Sequence, residues 1–387
     1  MYKLENHKIN NAEPWSIPIE KRMVVLTKNS SRGKIVYIYE KADTSTFRYR
    51  VYNMCQSLSY GAKYIGTYFF EEELAIVEEY LDKIALVVIV RTRWSLKLDN
   101  FISRVRKENI RILFDVDDIV IDLESLPLLM STSNVNFNIP QNYDYWFSYV
   151  GRLWLTGNLC DGFISTNKIL AENISRVYNK SSFIINNFLN DEQIELSEKI
   201  FREKIKSKSE NPFVIGYFSG SPSHTNDFKK AAPEIEELMK KYKNINLEIV
   251  GFMDIPVYLS RFLSEGRVIH SNFVDFLTLQ KKIGEVDVNI VPLINNNFTN
   301  CKSELKFFEP AIVGTITCAT PTYVYKNNIQ NGRTGFLCEE GEWHSTIEKI
   351  YKNDFNKEMI LHAREYCLEN YSPKAQTKKI EDILDSL

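Results

Sequence analysis

Basic and acidic side chains cluster near residue 300, where an apolar stretch of helical character begins, in CKSELKFFEPAIVG (residues 301–314). Ser303 is predicted to cap this helix, which would leave the first backbone amides without acceptors inside it. The partial positive charge of a helix start attracts anions, and two lysine ammonium groups add formal positive charge. The segment therefore predicts a diphosphate site, formed by Lys302, Ser303, Glu304, Leu305 and Lys306.

Glu309 extends this site along the helix. It follows Lys306 by three residues, so it lies about one turn, roughly 5.4 Å, further along the same face. That step matches the distance from a diphosphate to the diol of the adjoining ribose, whose two hydroxyls a carboxylate can accept. A nucleoside diphosphate would fit both the diphosphate site at the helix start and the carboxylate of Glu309. The alternative is an exposed helix whose lysines and glutamates only pair with each other, and Pro310 would bend the helix in either case.

A second candidate loop follows a predicted strand, in GYFSGSPSHTNDF (residues 216–228). Gly220 would allow a ligand to approach the backbone closely, and a helix that opens just afterwards would offer free amides to an anion. The alternative is an ordinary turn with a Thr or Asn cap, in which the other polar side chains are merely solvated. The residues predicted to bind here are Ser219, Gly220, Ser221, His224 and Asp227.

A third loop, FDVDDIVID (residues 114–122), carries acidic side chains after a strongly apolar strand. Carboxylates at this spacing could bind a metal, orient a sugar or supply a base, but they are also common at helix starts. Basic residues in STFRYRVYN (residues 45–53) could grip an anionic acceptor or pair with these acids as structural partners. Both uses stay open for Arg48, Arg50, Asp115, Asp117 and Asp118, and for the pair Arg91 and Arg93 that follows another strand.

Short apolar, β-branched runs alternate with longer amphipathic stretches, which is typical of parallel sheets covered by helices. The pattern occurs twice, on either side of a charged segment (residues 190–211) that is predicted to be a helical linker. It predicts an α/β protein with two Rossmann-like domains, residues 1–189 and 212–370, that face one cleft. The predicted strands are 23–27, 34–39, 85–90, 110–116, 162–165 and 182–186, then 212–218, 245–251, 267–270, 286–293, 315–319 and 335–338. Ligands of such sheets bind beyond the carboxyl ends of the strands, where the three loops lie.

Composition limits the classes of function. The chain has 387 residues with a net charge of −2, so it has no global basic field of the kind that recruits nucleic acid. Its six cysteines form no CxxC pair, which argues against a zinc cluster or a disulfide framework and fits a reducing compartment. The polar start of the chain has no signal-peptide core, and no apolar run reaches the length of a membrane span. We therefore expect a cytoplasmic enzyme.

Together these motifs resemble the GT-B glycosyltransferases of family 4, and more closely its bacterial group that builds surface polysaccharides, which includes rhamnosyltransferases. The resemblance rests on CKSELKFFEPAIVG, on NIQNGRTGFLCEEGEW and on a helix that ends in Tyr371-Ser372. It extends to the FRYRVYN, FDVDD and SGSPSHTNDF elements, so it runs through most of the chain. Each element alone is weak, whereas the combination is specific.

The resemblance implies transfer of a hexosyl or deoxyhexosyl group from a nucleotide sugar to a glycan or lipid-linked acceptor, with retention and without a metal or other cofactor. The family pattern pairs two glutamates, of which the second is Glu309 and the first falls on Cys301. Lys302 and Lys306 would replace the family's Arg and Lys beside the diphosphate. The FDVDD loop would lie on the acceptor side, and residues 371–387 would form a helix that crosses back to the first domain.

In this interpretation Lys302 and Lys306 stabilise the leaving diphosphate. Asp117 and Asp118 are the catalytic carboxylate residues of the acceptor-side loop. The enzyme would work in the cytoplasm, either free or attached to the cytoplasmic face of the membrane or to a synthase complex. Two alternatives stay open: an epimerase or hydrolase of nucleotide sugars, and a non-catalytic nucleotide-sugar-binding subunit of a synthase.

Overall fold

The computed structural model describes residues 13–387 apart from 43, 44, 133, 134, 137, 207–211, 221–224 and 353–355. Its strands form two sheets, and all of the strand pairs are parallel. The first sheet contains β1 (Gly33–Tyr39), β2 (Tyr64–Phe70), β3 (Leu86–Val90), β4 (Arg111–Val116), β5 (Gly162–Ser165) and β6 (Ser182–Ile184). The second contains β7 (Phe213–Ser219), β8 (Ile245–Gly251), β9 (Val268–Ser271), β10 (Val288–Val291), β11 (Ile316–Ala319) and β12 (Phe336–Leu337).

Helices connect and cover the strands. In the first half they are α1 (Ile19–Thr27), α2 (Ser45–Phe47), α3 (Asn53–Ser59), α4 (Leu74–Glu78), α5 (Leu96–Lys107), α6 (Leu126–Thr132), α7 (Pro140–Leu159), α8 (Lys168–Tyr178) and α9 (Asp191–Lys206). In the second half they are α10 (Thr225–Phe228), α11 (Ala232–Lys241), α12 (Ser260–Ser264), α13 (Phe276–Gly284), α14 (Asn297–Asn300), α15 (Leu305–Ile312), α16 (Tyr323–Asn328), α17 (Trp343–Lys352), α18 (Asn356–Tyr371) and α19 (Pro373–Asp385). A π-helical turn, Arg48–Tyr52, joins α2 to α3.

The strand orders decide where a ligand can bind. The first sheet runs β2-β1-β3-β4-β5-β6 and the second runs β12-β11-β10-β7-β8-β9. The order therefore reverses beside β1 and β3 in the first sheet and beside β7 and β10 in the second. Crevices for ligands open at such switch points, beyond the carboxyl ends of the strands. The loops after these four strands are thus the places where a site is expected.

One predicted strand is wrong, because residues 23–27 belong to helix α1. The run MVVLT is apolar and β-branched, but its helical period shows only when it is read from Ile19. Arg22 and Leu26, four residues apart, are then both buried, and the helix packs against β2. Arg22 is fixed there by Glu73.

Strand β2 was not predicted. Gly66 interrupts its apolar pattern, and an interior glycine weakens the signal of a strand. The structure explains the glycine, because a Cβ at this position would lie 3.0 Å from Cα of Cys55 on helix α3. The close approach of α3 to the sheet therefore requires a residue without a side chain.

The two halves are joined at several points. Helix α9 lies in the predicted linker and packs against α13 and α15 of the second half. Helix α19 packs on α3 of the first half, where Ser57 donates a hydrogen bond to the carbonyl of Pro373 (2.7 Å) and accepts one at its own carbonyl from Thr377 (3.0 Å). One apolar cluster also contains residues from both halves. The two halves that enclose the cleft are therefore held together by helix packing, hydrogen bonds and a shared apolar cluster.

Candidate functional site

A cavity of about 500 Å³ lies between the two sheets. The first half contributes Thr46, Arg48, Arg91, Asp117 and Asp118 to its wall, and the second half contributes Ser219, Gly220, Lys302, Lys306 and Glu309. These residues lie at or beyond the carboxyl ends of the strands, in the short helical turns that follow β1, and along α15 with the segment that leads into it. The structure thus brings the three predicted loops together around one space.

Helix α15 begins one residue later than predicted. Its N-cap is Glu304, whose carbonyl accepts from the amide of Phe307 (2.8 Å), so the N-cap prediction for Ser303 is wrong. The hydroxyl of Ser303 instead accepts from the side chain of Asn187 (2.9 Å). The first-turn amides of Leu305 and Lys306 have no acceptor within the helix, as at any helix start. The predicted anion site therefore keeps its backbone donors, shifted by one residue.

The side chain of Glu304 faces away from the cavity and is fully buried. Its Oε1 accepts from the hydroxyl of Tyr371 (2.9 Å) and from Nδ2 of Asn186 (3.1 Å), while burial raises the pKa of the carboxyl. Glu304 therefore fixes the approach to α15 and does not offer its carboxylate to a ligand.

Lys306 projects into the cleft with its ammonium group 5.6 Å from the centre of the Tyr217 ring. No carboxylate of the described residues lies within ion-pair distance, 4.0 Å, of its Nζ. Burial lowers the pKa of Lys306 to about 8, although Asp227 and Glu309 oppose this effect. A cation of this kind is stabilised by an anion that enters the cavity.

Lys302 is differently placed, because its Nζ lies 3.2 Å from Oδ2 of Asp118. The same ammonium group stands 4.2 Å above the ring of Phe298. The ion pair crosses the cleft from one sheet's loop to the other's. A diphosphate would have to compete with Asp118 for this lysine.

Four asparagine side chains of the first half hold the segment that leads into α15. Asn167 donates to the carbonyl of Lys302 (3.0 Å), and Asn173 donates to the side chain of Asn297 (3.2 Å). Asn186 and Asn187 bind Glu304 and Ser303, as described above. We call these four residues the asparagine clasp. It positions the helix start from the opposite side of the cleft.

Glu309 lies at the bottom of the cavity and is 3% exposed. Its Oε1 accepts hydrogen bonds from the hydroxyl of Tyr49 and from Nε2 of Gln193 (3.2 Å), and lies 3.6 Å from Nη2 of Arg48. None of the described residues hydrogen-bonds Oε2. One carboxylate oxygen is thus committed to the protein and the other is free to accept from a ligand.

The loop after β7 is described only in part, since Ser221 and His224 lie outside the described residues. Gly220 lines the cavity, and a Cβ placed on it would meet no atom within 4 Å. Asp227 does not line the cavity: its Oδ1 accepts from the amide of Ile294 (2.9 Å), in the loop after β10. The direct ligand contact predicted for Asp227 is therefore wrong, because the carboxylate is used to join two loops.

Two residues predicted for the acceptor side are structural instead. Arg50 and Asp115 are both fully buried, and Nε and Nη2 of the guanidinium reach the two carboxylate oxygens at 2.8 and 2.9 Å. Nη1 of Arg50 also donates to the carbonyl of Ile185 (2.7 Å). Asp115 belongs to β4 itself, so its side chain points into the packed layer and not beyond the strand end. The predicted contact of this pair with an acceptor is wrong.

Asp117 and Asp118 lie past the end of β4 and line the cavity. Asp117 accepts from Arg91 (2.9 Å) and from the hydroxyl of Thr46 (3.0 Å). Burial opposes its ionisation, but the charges of Arg91 and Arg50 and these hydrogen bonds hold the pKa of Asp117 below its usual value. This carboxylate is a poor proton acceptor and is better suited to orienting a hydroxyl group.

The far end of the cavity was not predicted from the sequence. It is lined by apolar and aromatic side chains from the end of β8, the loop after β9 and the start of α13, namely Val250, Phe273, Val274 and Phe276. Gly251, with a φ of +100°, is the one local signal, because a Cβ there would lie 1.9 Å from the carbonyl oxygen of Ser219. This end of the cavity is thus more apolar than the end that carries Lys302 and Lys306.

The chain is similar to known proteins both in sequence and in structure. No protein-family model matches the chain. The capsular polysaccharide biosynthesis glycosyltransferase CapM of Staphylococcus aureus is 25% identical over 224 residues, which are 53% of this chain and 54% of CapM. The chain thus matches about half of the length of that curated relative.

Solved structures match over nearly the whole chain. The structure of HepE from Anabaena in complex with UDP and glucose has a TM-score of 0.59 and 14% identity, and the match covers 92% of this chain and 100% of that chain. A glycosyltransferase from Rickettsia africae gives the same TM-score and identity, with 92% and 99% covered. The chain has the GT-B fold. The predicted fold class, two Rossmann-like domains facing a cleft, is confirmed.

The described part of the chain has neither a candidate membrane span nor a candidate metal site. None of its helices is both long enough and apolar enough to cross a membrane. None of its groups of His, Cys, Asp and Glu side chains is arranged to hold a metal ion.

Proposed function

We propose that this GT-B protein is a glycosyltransferase that moves a hexosyl or deoxyhexosyl group from a nucleoside-diphosphate sugar to a glycan or lipid-linked acceptor. The observation that carries the proposal is Lys306, a cation without a carboxylate partner among the described residues, at the helix start beside the switch point of the second sheet. The combined motifs support family 4 and its group that builds bacterial surface polysaccharides. CapM, which is named for capsular polysaccharide biosynthesis, agrees with that group.

The sugar donor would lie along α15. Its diphosphate would meet the ammonium group of Lys306 and the first amides of the helix, with Gly220 allowing close approach. The ribose would lie one turn further, where Oε2 of Glu309 can accept from a hydroxyl. The base would fill the apolar end of the cavity beside Phe273 and Phe276.

The proposed reaction breaks the bond between the anomeric carbon and the diphosphate oxygen, which keeps the electron pair. The acceptor oxygen bonds to that carbon from the same face, and its proton passes to the departing phosphate oxygen. Lys306 and the start of α15 stabilise the negative charge that develops there. Asp117 would orient the acceptor hydroxyl, because its lowered pKa makes it a poor base. The configuration is then retained.

Binding and transfer test this proposal together. A thermal-shift screen across nucleoside diphosphates should find one that stabilises the protein by about 2.7 kcal/mol at 100 times its dissociation constant. Transfer from the matching nucleotide sugar should persist in excess EDTA, since the lysine and the helix start supply the charge that a metal would otherwise supply. Loss of transfer in EDTA that Mn²⁺ or Mg²⁺ restores would contradict the metal-independent reaction.

The same assay separates the alternatives. Rapid turnover of the nucleotide sugar without any acceptor would identify a hydrolase or epimerase. Tight nucleotide binding without transfer to any oligosaccharide or lipid-linked acceptor would indicate a binding subunit of a synthase. No stabilisation by any nucleoside diphosphate would overturn the proposal as a whole.

Glu309→Gln should weaken binding of the free nucleoside diphosphate and of the intact nucleotide sugar by similar factors. Glutamine keeps the shape but loses the charge and half of the acceptor capacity that a ribose diol would use. Calorimetric titration of both ligands measures the two factors, with the exposed Glu237→Gln on α11 as the control. If the variant bound the diphosphate normally and lost only turnover, Glu309 would act at the anomeric carbon and not on the ribose.

A further inference from the structure

The first half of helix α7 carries an unusual set of aromatic side chains, YDYWFSY (residues 143–149). Tyr145 is 61% exposed and Phe147 is 50% exposed. The second half of the helix is packed into the apolar core through residues such as Val150 and Leu153. The helix is therefore anchored at one end, while at the other end Tyr145 and Phe147 present their rings to solvent and Trp146 and Tyr149 stay half-buried against the core.

Three of these rings contact one another in turn, each edge-to-face with the next. The ring centres of Tyr145 and Trp146 are 6.1 Å apart, and those of Trp146 and Tyr149 are 5.7 Å apart. The guanidinium of Arg93 continues the row, 5.3 Å from the centre of the Tyr149 ring, and is fixed in place by its ion pair with Glu40. We call Tyr145, Trp146 and Tyr149 the aromatic row.

The inner end of the aromatic row, Tyr149, lies near the cavity. Arg91 stands two residues before Arg93, lines the cavity and binds Asp117 (2.9 Å). Burial alone would lower the pKa of Arg91, but the negative charge of Asp117 and, more weakly, the nearby Tyr149 raise it. The row therefore begins beside the acid loop of the first half and runs outward from it.

The charges of this part of α7 indicate which ligand it fits. Asp144 is its one acidic residue, and the next basic residue, Arg152, already donates to the carbonyl of Trp94 (2.7 Å). Helices that lie on anionic membranes carry lysines and arginines beside their aromatic residues, and this segment has none to offer. Tyrosine and tryptophan rings combine an apolar face with a polar edge, which suits a neutral ligand that is itself apolar on one face and hydroxylated at its rim. Sugar rings have this character.

We propose that the aromatic row binds the sugar units of an acceptor glycan that lie next to the unit that reacts. This inference rests on the proposed function. The reacting hydroxyl would lie between Asp117 and the sugar donor, and the following units would leave the cavity past Arg93 along Tyr149, Trp146 and Tyr145. The acceptor is thereby specified as a neutral oligosaccharide of several units and not as a lone sugar.

The experiment compares oligosaccharides of different lengths, and it compares substitutions on two sides of helix α7. Neutral oligosaccharides of two to six units and their monosaccharides are titrated against the full chain, followed by Trp fluorescence and by saturation-transfer NMR. We expect at least one oligosaccharide to bind more tightly than its monosaccharide. Tyr145→Ala should reduce that advantage about 3- to 10-fold, the range for loss of one aromatic contact. Phe147→Ala, two residues away and thus on the opposite side of α7, is the matched control and should leave it unchanged.

Three outcomes would overturn the inference: no oligosaccharide binds better than its monosaccharide, the advantage of length survives Tyr145→Ala, or Phe147→Ala removes it equally. Sedimentation with phosphatidylglycerol vesicles that both substitutions abolish would identify a membrane surface instead. The proposed function fails separately, because it requires stabilisation by a nucleoside diphosphate, which neither substitution should alter. Circular dichroism of both variants shows whether α7 is still folded.

Discussion

Replacement of Lys306 by alanine is expected to weaken binding of the nucleoside diphosphate about 10- to 100-fold. A hydrogen bond to a charged group contributes about 1.5 to 3 kcal/mol, and each 1.4 kcal/mol is a factor of ten in affinity. Lys306 should reach the upper part of this range because no carboxylate of the described residues neutralises it before the ligand arrives. Isothermal titration calorimetry at fixed ionic strength measures the change.

Lys302→Ala is the matched control on the same segment and should lose less affinity, because Asp118 already binds Lys302 in the free protein. The pH dependence gives a second control. With a pKa of about 8, Lys306 is charged at pH 7 and neutral at pH 9.5, so affinity should fall as pH rises through 8. Lys306→Arg stays charged across this range and should lose that dependence. Unchanged affinity in Lys306→Ala would remove the diphosphate site from α15.

Arg50→Met should lower the free energy of unfolding by about 3 to 5 kcal/mol. The substitution leaves the carboxylate of Asp115 buried without its partner, and an uncompensated buried charge has a cost of this size. Urea denaturation followed by circular dichroism measures it. The effect should appear in the absence of any substrate, since the pair lies outside the cavity.

The double variant Arg50→Met/Asp115→Leu should recover most of that loss, because replacing both members of a buried pair by apolar residues is often neutral. Lys168→Met, which breaks the exposed ion pair with Glu172, serves as the comparison and should change the free energy of unfolding little. If Arg50→Met kept full stability and raised only the Michaelis constant of the acceptor, the original acceptor-side interpretation would be restored.

The sequence predicts the fold well where burial leaves a local trace. The apolar run at residues 85–90 corresponds to β3 because a strand buried on both faces is apolar at nearly every position. Prediction from the sequence fails where the secondary structure of a segment depends on a contact with another element. Residues 23–27 form a helix because of how α1 packs on β2, and Gly66 lies inside a strand because α3 approaches it.

The candidate site shows the same division. Loops that follow strands and a helix start with two lysines are local features, and both lie at the cavity. Local sequence does not indicate which of two neighbouring residues faces the cavity. Arg48 lines the cavity whereas Arg50 is paired with Asp115, and only the position of β4 distinguishes them. Likewise Asn187 and Gln193 bind site residues from distant parts of the chain, which no spacing rule indicates.

The asparagine clasp makes the proposed anion site depend on both halves of the protein. The segment that it holds is also embedded through Phe298 and Cys301, which are buried in the apolar cluster of the first half. Separating the halves would therefore break four amide contacts and expose two apolar side chains at the approach to α15. By thermodynamic linkage, whatever separates the halves must weaken anion binding, and a bound anion must resist their separation by the same factor. If the anion is the proposed nucleotide, the free energy needed to separate the two halves should rise with nucleotide concentration by the amount that its dissociation constant sets.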